Sequence, residues 1–333
     1  MKRIFFILSI FTITLLIYAC NKEGSGDRGI QISVIPKGTT HVFWQSVHAG
    51  AVKAARELKV EINWVGTDRE DDRQQQIALV DNQVMNQVNG IVLAPLDAVA
   101  LHRPVQNAVE NGIPVIIIDS DLKDSEDLYT SFIATNNREG GRVAGKKLAA
   151  LMGKKGKVVL LRYNEGSAST ENREEGFLEA IREFPDIEIV SSEQYGGVTR
   201  ASSQQTSENL LLRFTNASGQ LMIDGIFTPN TSTTYGMLLA LKRQNQAGKV
   251  KFIGFDAEDP VIEAMKAGEL SGLIIQDPFK MGYLGVKMMV NTLQGKPVDK
   301  RIDTGVTFIE PADLEKKEIQ ALIYPDLGKW LDQ

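Results

Sequence analysis

"PVIIID" at residues 114–119 and "KFIGFD" at residues 251–256 are short apolar, β-branched or aromatic runs, each ending on an aspartate. Their length and their bounding by polar residues mark them as strands. "IQISVI" (30–35), "VEINWVG" (60–66) and "GIVLAP" (90–95) precede the first. "KVVLLRY" (157–163), "IEIVSSEQY" (187–195) and "DGIFTP" (224–229) precede the second, and "LSGLIIQD" (270–277) follows it. The spacing of about 25–30 residues is one strand plus one crossover helix, the signature of a parallel sheet covered by helices. Helices are expected around 43–58, 70–88 and 98–111 in the first half. In the second half they are expected around 138–152, 171–184, 200–214, 231–246 and 260–267. Two runs of one architecture predict two similar α/β lobes. Open α/β sheets bind ligands beyond the carboxyl ends of their strands, so Asp119 and Asp256 are expected to face a crevice.

With 333 residues, two domains suit the chain better than one core. The balance of 42 acidic to 37 basic residues, with no basic block, gives nucleic acid no electrostatic foothold. The N-terminus is expected to leave the fold. Lys2 and Arg3 precede an apolar run from Ile4 to Ala19, the layout of a secretory signal and too short for a comfortable membrane span. It ends at Cys20, the single cysteine, in "IYAC", which resembles a bacterial lipobox although Tyr18 stands where a small residue is usual. The reading is therefore a signal peptide over 1–19, a lipidated Cys20 and a polar linker over 20–29. Acyl chains gain about 0.8 kcal/mol per buried CH₂, enough to hold an exported domain on a membrane.

Catalytic signatures are weak. The three histidines, His41, His48 and His102, lack metal-ligand spacing, and no G-x-G-x-x-G follows the first strand. "EGSAST" (165–170) lacks the second glycine of a nucleophile elbow. "GGRVAGK" (140–146) fits G-x-x-x-x-G-K but continues with Lys147 inside an expected helix, so its glycines read as close helix packing. "DREDD" (68–72) reads as the charged first turn of a helix. No enzyme, cofactor or metal is expected.

"PVIIID", "GSASTENREEGFLEAI", "DGIFTPN", "VKFIGFD" and "LIIQDPFKMGYLGVKMM" together resemble the sugar-binding periplasmic proteins of ABC transporters, ribose-binding type, from about residue 30 to 310. The resemblance implies two Rossmann-like lobes with parallel sheets, joined by three crossovers near Thr135, Gln276 and Val306. One lobe would hold 30–134 plus 277–305 and the other 135–276 plus 306–333. It also implies a monomeric, non-catalytic receptor that captures a small polar solute, a neutral sugar or polyol, and hands it to an ABC permease. Its place would be the periplasmic face of a bacterial membrane or the cell surface, held by the lipid anchor. A sensor presenting its closed form to a chemoreceptor or membrane kinase would use the same domain. A repressor would need a DNA-binding headpiece where this chain has an export signal.

By the same resemblance, Phe43 and Trp44 stack on the apolar faces of a sugar ring, with His41 as a polar neighbour. Asp119, Asn230, Asp256 and Gln276 would meet hydroxyls, for which carboxylates and amides make strong directional partners. Departures from the pattern put Ser120 and Glu171 where arginines are usual and Val198 where an aromatic is usual, with Thr199 beside it. These changes imply a more acidic pocket, disfavouring acids and phosphates and open to a ligand bearing an amine.

Overall fold

The computed structural model describes residues 29–331. The expected leader, Cys20 and most of the linker lie outside them. No helix among the described residues is long and apolar enough to cross a membrane.

The chain forms two six-stranded sheets. In the first, β1 (Gln31–Ile35), β2 (Glu61–Trp64), β3 (Gly90–Leu93), β4 (Val115–Ile118), β5 (Ser131–Ala134) and β11 (Arg301–Asp303) run in the order β11-β5-β4-β3-β1-β2. In the second, β6 (Gly156–Arg162), β7 (Ile187–Tyr195), β8 (Gly225–Phe227), β9 (Lys251–Phe255), β10 (Gly272–Ile275) and β12 (Thr307–Ile309) run β12-β10-β9-β8-β6-β7. All pairings are parallel except β10 with β12. The apolar runs are strands because both faces are covered. Along β4, Val115 and Ile117 enter one core, while Ile116 and Ile118 enter the other.

Helices α1 (Val42–Leu58), α2 (Arg73–Met85) and α3 (His102–Glu110) follow β1, β2 and β3. In the second lobe α5 (Ala168–Arg182), α6 (Arg200–Arg213), α7 (Thr231–Arg243) and α8 (Asp259–Lys266) follow β6 to β9. Two helices change sides. The chain leaves β5 of the first sheet and forms α4 (Asn137–Leu151) over the second; it leaves β10 of the second and forms α9 (Pro278–Leu293) over the first. A third crossing separates β11 from β12. The crossings touch: Thr135 Oγ1 donates to the Gly305 carbonyl at 3.2 Å, and Asp303 Oδ1 accepts from Asn136 N and Gly305 N.

Several elements had no signal of their own. β5, β11 and β12 are three or four residues long, too short for a visible period. Helix α9 lies in a stretch read only for its resemblance. The chain end touches both lobes. Helix α10 (Lys317–Ile323) packs on the second lobe, but the Lys329 and Trp330 carbonyls accept from Arg56 of α1 in the first.

The crossing helices lie very close to their partners. A Cβ at Gly141 of α4 would sit 1.9 Å from the Arg173 carbonyl of α5, and one at Gly176 would sit 2.0 Å from the Arg138 carbonyl. The first lobe repeats the device, with Gly50 against the Phe279 carbonyl and Gly282 against that of Val47, each at 1.9 Å. Gly141 belongs to the "GGRVAGK" run, so those glycines serve helix contact. Gly141→Ala must push α4 off α5 and is expected to lower the unfolding free energy by about 3 kcal/mol, read by urea denaturation.

Candidate functional site

The cleft between the lobes is walled by the carboxyl ends of strands from both sheets, with about 410 Å³ of free space counted to its mouth. Asp119 follows β4 and Asp256 follows β9, and both adopt a left-handed backbone, with φ of 62° and 67°. Aspartate tolerates this conformation better than most residues. It turns the chain off the strand at equivalent points of the two lobes.

In the second lobe Arg173 is the hub. Its buried guanidinium donates to Asn137 Oδ1 at 2.7 Å, the Pro229 carbonyl at 2.9 Å and Gln276 Oε1 at 2.9 Å, and it lies 3.9 Å from the Phe255 ring centre. Gln276 Nε2 passes the chain on to Asp256 Oδ1 at 2.6 Å, while Thr231 donates to Asp256 Oδ2 at 3.0 Å. Burial pushes the Asp256 carboxyl up and the Arg173 guanidinium down, and their mutual attraction opposes both shifts. Asn137 also donates to the Asp119 carbonyl, which ties the hub to the first lobe.

In the first lobe Lys37, just past β1, pairs with Asp119 at 2.8 Å and reaches across the cleft to Ser169 Oγ at 3.0 Å. Phe43 and Trp44 meet edge to face at 4.8 Å. Both rings line the cleft and also pack on the core beneath the first sheet, Trp44 being only 3% exposed. The Trp44 indole donates to Glu70 Oε1 at 2.7 Å, and the Tyr163 hydroxyl of the other lobe donates to Glu70 Oε2 at 2.9 Å. Burial first, then the Glu70 carboxylate, holds the Tyr163 phenol well above its usual range.

Of the sequence candidates, the structure brings His41, Phe43, Trp44, Asp119, Asn230, Asp256 and Gln276 to this cleft. Three others fall elsewhere. Ser120 is buried beside it, its hydroxyl accepting from Ser169 N at 3.1 Å. Thr199 caps α6, where its hydroxyl and the Ser202 backbone form a capping box. Glu171 does not face the cleft, because its carboxylate accepts from Gly166 N at 2.7 Å within its own lobe. The charges that line the cleft are three carboxylates and two cations. Arg173 of α5 is in the cleft, and Lys37 joins it against Glu70, Asp119 and Asp256.

The residues missed had usable signals. Lys37 and Tyr163 sit at strand carboxyl ends, where the crevice rule places ligands. Glu70 was assigned to a helical first turn, but α2 starts at Arg73, with Asp72 as its N-cap, and Glu70 remains in the loop. Ser167, Ser169 and Thr170 lie in "EGSAST", whose reading for a nucleophile and for the resemblance left its hydroxyls unassigned.

Beneath the cleft, Glu174 supports the end of β6, accepting from Tyr163 N at 3.0 Å and from Arg162 at 2.9 Å. Burial lifts its carboxyl from 4.5 to about 7 despite those donors. An acid whose pKa rises on folding adds stability below its unfolded pKa and loses it as pH climbs through the folded value. Between pH 4.5 and 7.5 wild type is expected to lose about 3 kcal/mol that Glu174→Gln does not, in urea denaturation at both pH values.

Comparison with known proteins places this architecture. The periplasmic binding protein domain family matches residues 32–297. The chain belongs to this family. Among curated members, it is 28% identical over 279 residues to the D-allose-binding periplasmic protein of Escherichia coli, covering 81% of this chain and 88% of that one. It is 29% identical over 267 residues to a ribose import binding protein of Haemophilus influenzae, covering 80% and 87%. A solved ABC transporter solute binding protein of Agrobacterium vitis, with bound D-fucose, superposes with a TM-score of 0.84 at 34% identity, covering 88% of this chain and all of that one. A carbohydrate transporter solute binding protein of Agrobacterium radiobacter, in complex with D-arabinose, gives 0.83 at 32% identity over 90% of this chain and 100% of its own. As a periplasmic binding protein the chain is an exported binding domain of two hinged lobes, and these relatives are transport proteins rather than enzymes.

Proposed function

We propose that this periplasmic binding protein captures a neutral monosaccharide between its lobes and delivers it to the permease of an ABC importer. The observation that carries the reading is the chemistry of the cleft walls. Phe43 and Trp44 line the cleft together with the polar side chains of Asp119, Asn230, Asp256 and Gln276. A sugar ring needs both, an apolar plate for its C–H faces and directional partners for its hydroxyls. The charges favour an uncharged ligand, since Lys37 is paired with Asp119 and Arg173 stands over the Asp256–Gln276 pair. A bound anion or amine would compete with these buried pairs at a desolvation cost. The relatives named for allose and ribose, and those holding fucose and arabinose, support the class.

In this reading His41 adds a polar contact, Ser120 braces the Ser169 backbone beside the cleft, and Thr199 serves α6 rather than the sugar. The hinge divides 30–134 plus 277–305 from 135–276 plus 306–333. Cys20 carries the lipid that holds a monomer at the periplasmic face of the membrane, and closure creates the surface a permease subunit recognises.

A thermal-shift screen tests the ligand class, with neutral aldoses, polyols, hexuronates and polyamines at millimolar concentration. A ligand at a hundred times its Kd adds about 2.7 kcal/mol to the native state. Shifts from neutral aldoses alone support the proposal, whereas a response confined to polyamines or acids refutes it.

A further inference from the structure

Away from the ligand cleft, the lobes meet at a second contact. Ala98 N, in the loop after β3 of the first lobe, donates to the Gly166 carbonyl of the second at 2.9 Å. Beside it Arg73 donates to the Glu165 carbonyl at 3.1 Å while its Nε holds Asp97 Oδ2 at 2.5 Å. Asp97 in turn accepts from Val99 N and Ala100 N, fixing the loop that presents Ala98. On the other side Glu171 accepts from Gly166 N at 2.7 Å and so fixes the Glu165–Gly166 peptide, whose Glu165 carbonyl receives Arg73. Gly166 has φ of 91°, and a Cβ there would lie 2.4 Å from Asp97 Oδ2 across the gap. Both loops are thus shaped for one another. None of Arg73, Asp97, Ala98, Glu165, Gly166 and Glu171 lines the ligand cleft.

We propose that this contact is a closure latch, in which Arg73 and Glu171 act as positioning residues that set affinity for every ligand without touching any. The proposal rests on the reading of the chain as a sugar receptor. Observed affinity scales with the population of the closed, binding-competent form. A contact made only on closure therefore multiplies all dissociation constants by one common factor. Two hydrogen bonds to backbone carbonyls, one of them charge-assisted, are worth about tenfold in that equilibrium.

The test is calorimetric titration of the full chain and of Arg73→Ala and Glu171→Ala with D-fucose, D-arabinose, D-allose and D-ribose. The latch predicts that each sugar that binds weakens about tenfold, by the same factor within twofold across sugars. Unaltered dissociation constants overturn it, as do factors that differ among sugars. Should no sugar bind wild type, the sugar reading fails and the latch is read without ligand. Spin labels at Met85→Cys and Leu212→Cys, two exposed positions on opposite lobes, then report the distance between lobes in a Cys20→Ser chain. A closed component that Arg73→Ala reduces about tenfold supports the latch. No closed component in wild type, or an equal one in both chains, overturns it.

Discussion

Arg173→Met abolishes sugar binding and lowers the unfolding free energy by about 3–5 kcal/mol, the usual cost of breaking a buried charged network from one side. The substitution keeps most of the side-chain volume, so the loss is electrostatic and polar. It strips the donors from Asn137 Oδ1, the Pro229 carbonyl and Gln276 Oε1 together. It also removes the cation facing Asp256, whose carboxyl burial already pushes upward. Asp256 is then left as a buried carboxylate with only Gln276 and Thr231 as donors, and the second-lobe wall loses its order. Arg173→Lys retains charge but cannot fork to three acceptors, so about half of the stability loss is expected to remain. Urea denaturation at neutral pH reads both variants, and a loss below about 1 kcal/mol for Arg173→Met would show that the hub is not integral to the fold.

Trp44→Ala produces the largest loss of affinity expected from the first lobe, at least about a hundredfold, or about 2.7 kcal/mol. In the proposed reading the indole is one plate of the cleft, and it meets Phe43 edge to face at 4.8 Å. Because Trp44 is also part of the core under the first sheet, the same substitution lowers ligand-free stability by about 3 kcal/mol. Trp44→Phe separates the two roles. It keeps an aromatic plate and most of the packing but loses the hydrogen bond to Glu70. Its expected cost is about tenfold in calorimetric Kd, with near wild-type stability. Equal losses in the two variants would mean that the indole hydrogen bond, and not the stacking face, carries the interaction.

The two-lobe architecture was legible because strands buried on both faces leave uninterrupted apolar runs. "PVIIID" and "KFIGFD" kept the same terminal aspartate because each must turn a left-handed corner into the cleft. The short strands at the crossings were not legible, since β11 and β12 are stabilised by pairing rather than by a pattern of their own. Within the site, the aromatic pair and the strand-end carboxylates could be found from position. Lys37 and Tyr163 share that strand-end position, but their partners were not legible, because these depend on contacts between segments: Lys37 with Asp119 and Ser169, and Tyr163 with Glu70 of the opposite lobe. Glu171 shows the converse. A residue at the right place in a motif turned its side chain back onto the Gly166 backbone, so alignment gave its position but not its direction.

The most direct measurement is isothermal titration calorimetry of the protein with D-fucose, D-arabinose, D-allose and D-ribose, beside glucuronate and spermidine. A neutral monosaccharide held between the lobes predicts one site per chain with a micromolar or tighter Kd for at least one of the four sugars, and no heat from the acid or the polyamine. Binding confined to glucuronate or spermidine, or a stoichiometry other than one, would contradict it.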